Sequence, residues 1–130
     1  MRLTIKSVPK NIAEIEQFLC QFVKDHDVDT DLYPNMLISL TEAVNNAIIH
    51  GNALDQKKEV SIKSDVQKDI IKFRISDEGD GFDPTDIADP CCDENIPLDG
   101  GRGVMLMKAL SSKVVFRDGG ATVELLFKRP

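Results

Sequence analysis

The chain has 130 residues, 42% hydrophobic and 29% charged, the length and composition of one globular domain with a sizeable core. No apolar run approaches the roughly 20 residues of a membrane span. Met1-Arg2-Leu3-Thr4 leads straight into a strand-like pattern without a signal-peptide layout, so the expected compartment is the cytoplasm. A formal net charge of −6 argues against a nucleic-acid backbone as ligand, which would call for a basic stripe. It does not exclude a single nucleotide, whose charge magnesium and backbone N–H groups can meet.

Taken in order, Leu3-Thr4-Ile5-Lys6-Ser7-Val8 alternates apolar and polar and predicts a strand with one buried face. Pro9-Lys10-Asn11 turns the chain. Ile12, Ile15, Phe18, Leu19, Phe22 and Val23 then recur at helical spacing, giving an amphipathic helix to about His26. A second helix begins near Tyr33-Pro34. At roughly 100° per residue, Leu37, Leu40, Val44, Ala47 and Ile48 form its apolar arc, and Gly51 is expected to close it as the residue just past the helix end. Glu42 and Asn46, four apart, stack on one face that points away from that arc. Two strands follow, Val60–Ser64 and Ile70–Ile75, joined by a turn at Gln67-Lys68-Asp69. Residues 84–100 carry Pro84, Pro90 and Pro97 and no sustained periodicity, the pattern of a functional lid or a disordered loop. A helix over Val104–Leu110 is opened by Gly101-Arg102-Gly103. A strand at Val114-Val115-Phe116, a hairpin turn at Asp118-Gly119-Gly120 and a last strand with Val123, Leu125 and Phe127 facing inward complete the chain. The expected architecture is α+β: a two-layer sandwich of four or five strands, with helices on one face and no internal repeat or linker, so residues 1–130 form a single domain.

Cys20, Cys91 and Cys92 make no disulfide framework, and with His26 and His50 far off they lack zinc-site spacing, so reduced thiols are expected. Met105 and Met107 read as core, and Glu78, Asp80 and Asp83 as solvated loop charges.

Two glycine clusters stand out. Asp77-x-Gly79-x-Gly81 follows a strand, and Gly100-Gly101-Arg102-Gly103 precedes a helix. Glycine lets backbone approach a ligand, and a helix start offers free N–H groups to phosphate. Neither completes a dinucleotide fingerprint, since Pro84 and Leu106 stand where a third glycine would be, and no Gly-Lys-Ser/Thr of a Walker loop follows either. Singly, each is most often a turn.

In combination, Glu42-x-x-x-Asn46, Asp77-x-Gly79-x-Gly81 and Gly101-x-Gly103, in that order, resemble the N, G1 and G2 boxes of the GHKL ATPase superfamily. The resemblance covers nearly the whole chain, from the helix at Pro34 to the strand at Phe127. Within the superfamily the chain looks most like the small anti-sigma-factor serine/threonine-protein kinases, whose N box reads like Glu42-Ala43-Val44-Asn45-Asn46-Ala47-Ile48-Ile49-His50-Gly51. The resemblance implies a Bergerat ATP-binding fold with a mixed, mostly antiparallel sheet, an ATP lid at about 84–100, and ATP and Mg²⁺ as cofactors.

It implies roles residue by residue. Asp77 would accept a hydrogen bond from the adenine amine, since a carboxylate suits adenine and not the carbonyl of guanine. Gly79 and Gly81 would lie against base and sugar. Asn46 would ligate Mg²⁺ through its amide oxygen. Gly101 and Gly103, with Arg102 beside them, would meet the phosphates, and Glu42 would be the general base acting on a substrate serine. Asn45 and His50 stand as secondary contributors. The implied partners are an anti-anti-sigma antagonist, which is phosphorylated, and a sigma factor, which is held off; homodimerisation is a further expectation, and contact with nucleic acid is not. The chain departs from the family at Ala121, where the closing strand usually carries threonine, and in its acidic Cys91-Cys92-Asp93-Glu94 lid. Those departures keep an alternative open: a nucleotide-gated binding module that transfers no phosphate. The catalytic part of a two-component histidine kinase is disfavoured, because no phosphoacceptor helix is expected ahead of the domain.

Overall fold

The computed structural model describes residues 1–79 and 99–129. The lid expected at 84–100 falls almost wholly outside that range, as do Asp80, Gly81, Asp83, Cys91 and Cys92. The elements are β1 (Arg2–Lys6), α1 (Ala13–His26), α2 (Tyr33–Asn46), β2 (Glu59–Val66), β3 (Ile70–Ser76), α3 (Asp99–Leu110), β4 (Lys113–Arg117) and β5 (Thr122–Lys128). The strands form one sheet in the order β1-β2-β3-β5-β4. Each neighbouring pair is antiparallel, so among the described residues the sheet is wholly antiparallel rather than mixed. The α+β two-layer expectation stands.

Strand alternation places the core. Phe73 lies opposite Leu125 and Ile75 opposite Val123, while Ile71 faces Phe127, all on the helix side of the sheet. Phe73 packs tilted against Phe22 of α1 at 5.0 Å and edge-on to Phe127 at 6.1 Å between ring centres. From α1, Ile15, Phe18, Leu19 and Phe22 are buried at the predicted period. From α2 and the turn that follows it, Leu40, Val44, Ala47 and Ile48 are buried as predicted, joined by Met36 and Ala43, whereas Leu37 of the predicted arc is only partly buried.

Three local features differ from the sequence pattern. First, α2 does not end at a left-handed glycine. It passes into a π turn over Ala47–Gly51, in which the Asn52 N–H reaches the Ala47 carbonyl, and the left-handed residues are Ala53 and Leu54. Leu54 N–H bonds the Ile48 carbonyl at 2.8 Å, an i→i+6 closure that satisfies a helix-end acceptor. Second, α3 starts at Asp99, so its glycines lie within the helix rather than ahead of it. Third, Met105 is 39% exposed while Met107 is 1% exposed, so only Met107 is core. Among the described residues, no helix is long and apolar enough to cross a membrane.

Candidate functional site

The end of α2 and the π turn, the end of β3, the second half of α3 and the approach to β5 converge on one cleft. Its walls carry Asn46 from α2, Asp77 just past β3, Met107 from α3, and Ala121 at the mouth of β5. It encloses about 240 Å³, space open to solvent included. Small residues, Ala43, Ala47, Gly120 and Ala121, form a narrow slot with Ile75 and Val123. Asn46 and Asp77, 31 positions apart in the numbering, therefore share a site.

The turn around Asp77 is held at successive backbone groups. Its N–H donates to the Ala121 carbonyl at 2.9 Å, the next N–H, of Glu78, donates to Asn52 Oδ1 at 2.8 Å, and Gly79 N–H donates to Asp77 Oδ1 at 2.8 Å. Burial holds the Asp77 carboxyl above the usual range, opposed by the Gly79 hydrogen bond and by the charge of Lys58. Glu78, read from sequence as a solvated charge, is exposed but uses Oε2 to accept the Glu59 N–H at 2.5 Å, closing the start of β2.

The helix end meets this turn without side chains. A Cβ built on Gly51 would collide with the Asp77 carboxylate, and one built on Gly79 with the Gly51 carbonyl. Gly51 is thus required for close approach, not for a left-handed conformation. Asn52, fully buried, is the other residue that pattern reading passes over: an asparagine after a helix end carries no local sign of burial.

On the far side of the cleft α3 packs across α2. Gly103 sits against the N-box face: a Cβ there would lie 2.9 Å from Glu42 Oε2 and 3.4 Å from Asn46 Nδ2. The face that a helical wheel leaves pointing away from the apolar arc is therefore covered, and Asn46 is 6% exposed. Its Nδ2 is buried without a hydrogen-bond partner among the described residues. Glu42 and Asn45 are half-buried. Gly101 and Arg102 fall in the first turn of α3, where backbone N–H groups lack intrahelical partners, and Gly103 lies deeper in the helix. His50 is exposed in the π turn, whose i→i+5 geometry voids the count of four that places it beside Asn46.

At the departure from the family pattern, Ala121 lines the cleft, whereas Thr122 is turned to the opposite face of the sheet and shares a 3.1 Å hydrogen bond with Ser76 Oγ. Cys20 is exposed. Among the described residues no cluster of three or more His, Cys, Asp or Glu side chains could hold a metal.

Comparison with known proteins identifies the family. A family model described as a histidine kinase-like ATPase domain matches residues 5–127. Serine-protein kinase RsbW of Staphylococcus aureus (strain bovine RF122 / ET3-1) is 36% identical over 98 residues, covering 68% of this chain and 60% of that protein. Serine-protein kinase RsbW of Bacillus licheniformis is 33% identical over 124 residues, covering 90% of this chain and 78% of that protein. The matched part of the chain thus spans about 60% of the staphylococcal relative's length. The crystal structure of the RsbU and RsbW domains of a Mycobacterium tuberculosis protein superposes on all of this chain and 32% of that one, with a TM-score of 0.64 at 18% identity, a likeness of fold. With a family model spanning nearly every residue and both RsbW relatives above 30% identity, the chain belongs to the histidine kinase-like ATPase domain family.

Proposed function

We propose that the protein is a Mg·ATP-dependent serine/threonine kinase of the anti-sigma-factor type, which phosphorylates an anti-anti-sigma antagonist and sequesters a sigma factor in a partner switch. The observation that supports it is the meeting of the three boxes: Asp77 and Asn46 on the walls of one cleft, with Gly103 against Glu42 and Asn46.

In this reading the adenine ring enters the slot between the small residues, and Asp77 Oδ2 accepts its exocyclic amine while Oδ1 keeps the Gly79 N–H. The phosphates extend toward the first turn of α3, whose free N–H groups at Gly101 and Arg102 and positive dipole end would receive them. Mg²⁺ is usually held by one or two protein oxygens together with phosphate and water. Asn46 would serve there through its amide oxygen, a hard donor on the α3 side of the cleft, while its buried Nδ2, without a hydrogen-bond partner among the described residues, would be left to donate to a phosphate oxygen. When bound, the ion would offset the charge of the phosphates. Glu42, one turn before Asn46, would orient the substrate hydroxyl and take its proton as the oxygen attacks the γ-phosphate. Gly79 and Gly81 would back the base and sugar, and Asn45 and His50 would serve as outer polar contacts.

Release and recapture of the sigma factor would follow nucleotide state, because each partner binds one state better than the other. The second reading, a nucleotide-gated binding module without phosphoryl transfer, is favoured by Ala121, which brings no hydroxyl to the cleft.

Incubation with labelled ATP and a candidate antagonist protein separates the two. The kinase reading expects transfer to a serine or threonine, reduced about 10²–10⁴-fold in Glu42→Gln with Mg·ADP binding retained. Tight ADP binding with no transfer to any antagonist overturns it in favour of the module.

A further inference from the structure

We infer that Asn52 is a positioning residue of the nucleotide site: its buried amide holds the Asp77 turn in register with the end of α2 and so sets adenine selectivity. This rests on the nucleotide reading above and names a residue to which that reading gives no role.

Asn52 is fully buried, and every polar group of its side chain is used. Oδ1 accepts the Glu78 N–H at 2.8 Å, and Nδ2 donates to the Ser7 Oγ at 2.7 Å and to the Glu59 carbonyl at 3.1 Å. The amide has one orientation only, because Glu78 N–H is an obligate donor and the Glu59 carbonyl an obligate acceptor. Ser7, itself buried, donates its hydroxyl to the Lys58 carbonyl at 2.9 Å, so its oxygen is free to accept from Asn52. One side chain therefore ties together the segment after α2, the end of β1, the start of β2 and the residue next to Asp77.

Its bonds are not equivalent. The Oδ1 bond bears directly on the cleft: it is the middle one of the three backbone anchors at residues 77, 78 and 79, between the Asp77–Ala121 bond and the Gly79–Asp77 bond. Without it the Glu78 N–H is left unpaired, and the turn is tied to the rest of the fold by the Asp77–Ala121 bond and by the Glu78 carboxylate on the Glu59 N–H, so its backbone can shift at residue 78 and carry the Asp77 carboxylate away from the position opposite Ala121. The Nδ2 bonds reach β1 and β2 and support the fold without touching the turn. Gly51, whose carbonyl abuts Gly79, precedes Asn52 and makes the contact close enough for the amide to reach.

The two halves of the network can be separated by ADP-over-GDP selectivity, which reports the position of Asp77 because guanine presents a carbonyl where adenine presents an amine. Calorimetric affinities for Mg·ADP and Mg·GDP would be measured on the whole chain, well below each variant's melting temperature. Asn52→Ala is expected to weaken ADP about tenfold, the worth of one hydrogen bond to an ionised group displaced from its partner, to leave GDP unchanged, and so to lower the ratio by the same factor. Ser7→Ala, which removes an Nδ2 partner and the hydroxyl's bond to the Lys58 carbonyl but no bond to the backbone of residues 77–79, is expected to lower the melting temperature and leave the ratio intact. If Asn52→Ala does not fold, Asn52→Ser, whose side chain stops short of the Glu78 N–H, replaces it with the same expectation. A ratio unchanged in the position-52 variant, or reduced equally in Ser7→Ala, overturns the inference while the nucleotide reading stands. Failure of the wild-type chain to bind Mg·ADP overturns the nucleotide reading and this inference with it.

Discussion

Gly51→Ala puts a methyl group where the helix end and the Asp77 turn already touch. Its Cβ would lie 2.8 Å from Asp77 Oδ1, and Oδ2 and Cγ would be nearer still, against an ordinary contact of 3.4–4 Å. Either the carboxylate swings out of the cleft or the π turn backs away by about an ångström. Two effects oppose each other in the stability. Overpacking costs about 1–3 kcal/mol, and replacing glycine by alanine in a helical turn returns up to about 1 kcal/mol. The net is a loss of up to about 2 kcal/mol, which at this length lowers the melting temperature by up to roughly 10 °C. Affinity responds more sharply, because the displaced carboxylate no longer meets the adenine amine. Loss of one hydrogen bond to an ionised group, about 1.5–3 kcal/mol, is about 10–150-fold in Kd. Scanning calorimetry and titration with Mg·ADP read the two quantities on the same sample. Gly119→Ala is the matched control: its Cβ meets open space, but φ of 68° strains an L-residue there by about 1–2 kcal/mol, so stability should fall while ADP affinity holds. Gly51→Ala binding ADP within a factor of about two of wild type would refute the geometry on which the site rests.

Asp77→Asn should weaken ADP by about tenfold or more, because the amide has one oxygen for two claimants, the Gly79 N–H and the adenine amine. The same variant should not be less stable. The Asp77 carboxyl is held above its ordinary range chiefly by burial, so the native state binds its proton more tightly than the unfolded chain. Wild type therefore loses stability as pH rises from the unfolded value through the raised native one, and the asparagine variant does not; urea unfolding across that interval should show the variant gaining on wild type, and a difference flat with pH would contradict the assignment. Glu124→Gln has the opposite sign. Glu124, 4% exposed on the open face of the sheet, meets Arg117 Nε at 2.6 Å and Lys72 Nζ at 3.6 Å, and the Arg117 hydrogen bond leads in holding its carboxyl below the usual range against the effect of burial. That stabilisation is present above the unfolded carboxylate pKa and is lost as pH falls through the depressed native one. With Arg117 and Lys72 side chains 54% and 38% exposed, solvent screens the pairs, and the substitution should cost about 1 kcal/mol near neutrality. The cost should vanish in acid and shrink in high salt; the same cost in 1 M salt (roughly a 3 Å Debye length) would argue against an ionic origin.

Local pattern was enough for the frame. The period of Ile15, Phe18, Leu19 and Phe22 and the alternation of Val123, Leu125 and Phe127 fix which faces are apolar, and burial follows because water leaves those faces first. The three boxes were legible only in combination, through their order and their resemblance to a known family, since each alone is a run that turns and solvated helices commonly carry. Their meeting was not, since no periodicity of α2 says that α3 will lie across Glu42 and Asn46 and bury an amide that a helical wheel leaves in solvent. Nor could it reveal that Gly51 serves a backbone contact with Gly79, or that Asn52 spends its amide on Ser7, 45 residues back, and Glu78, 26 ahead. The sequence by itself determined the elements, the core and the chemical vocabulary of the site, because hydrophobic period and turn chemistry are short-range properties. Only the tertiary structure decided which polar groups lost their water together, since that depends on which distant segments the core brings into contact.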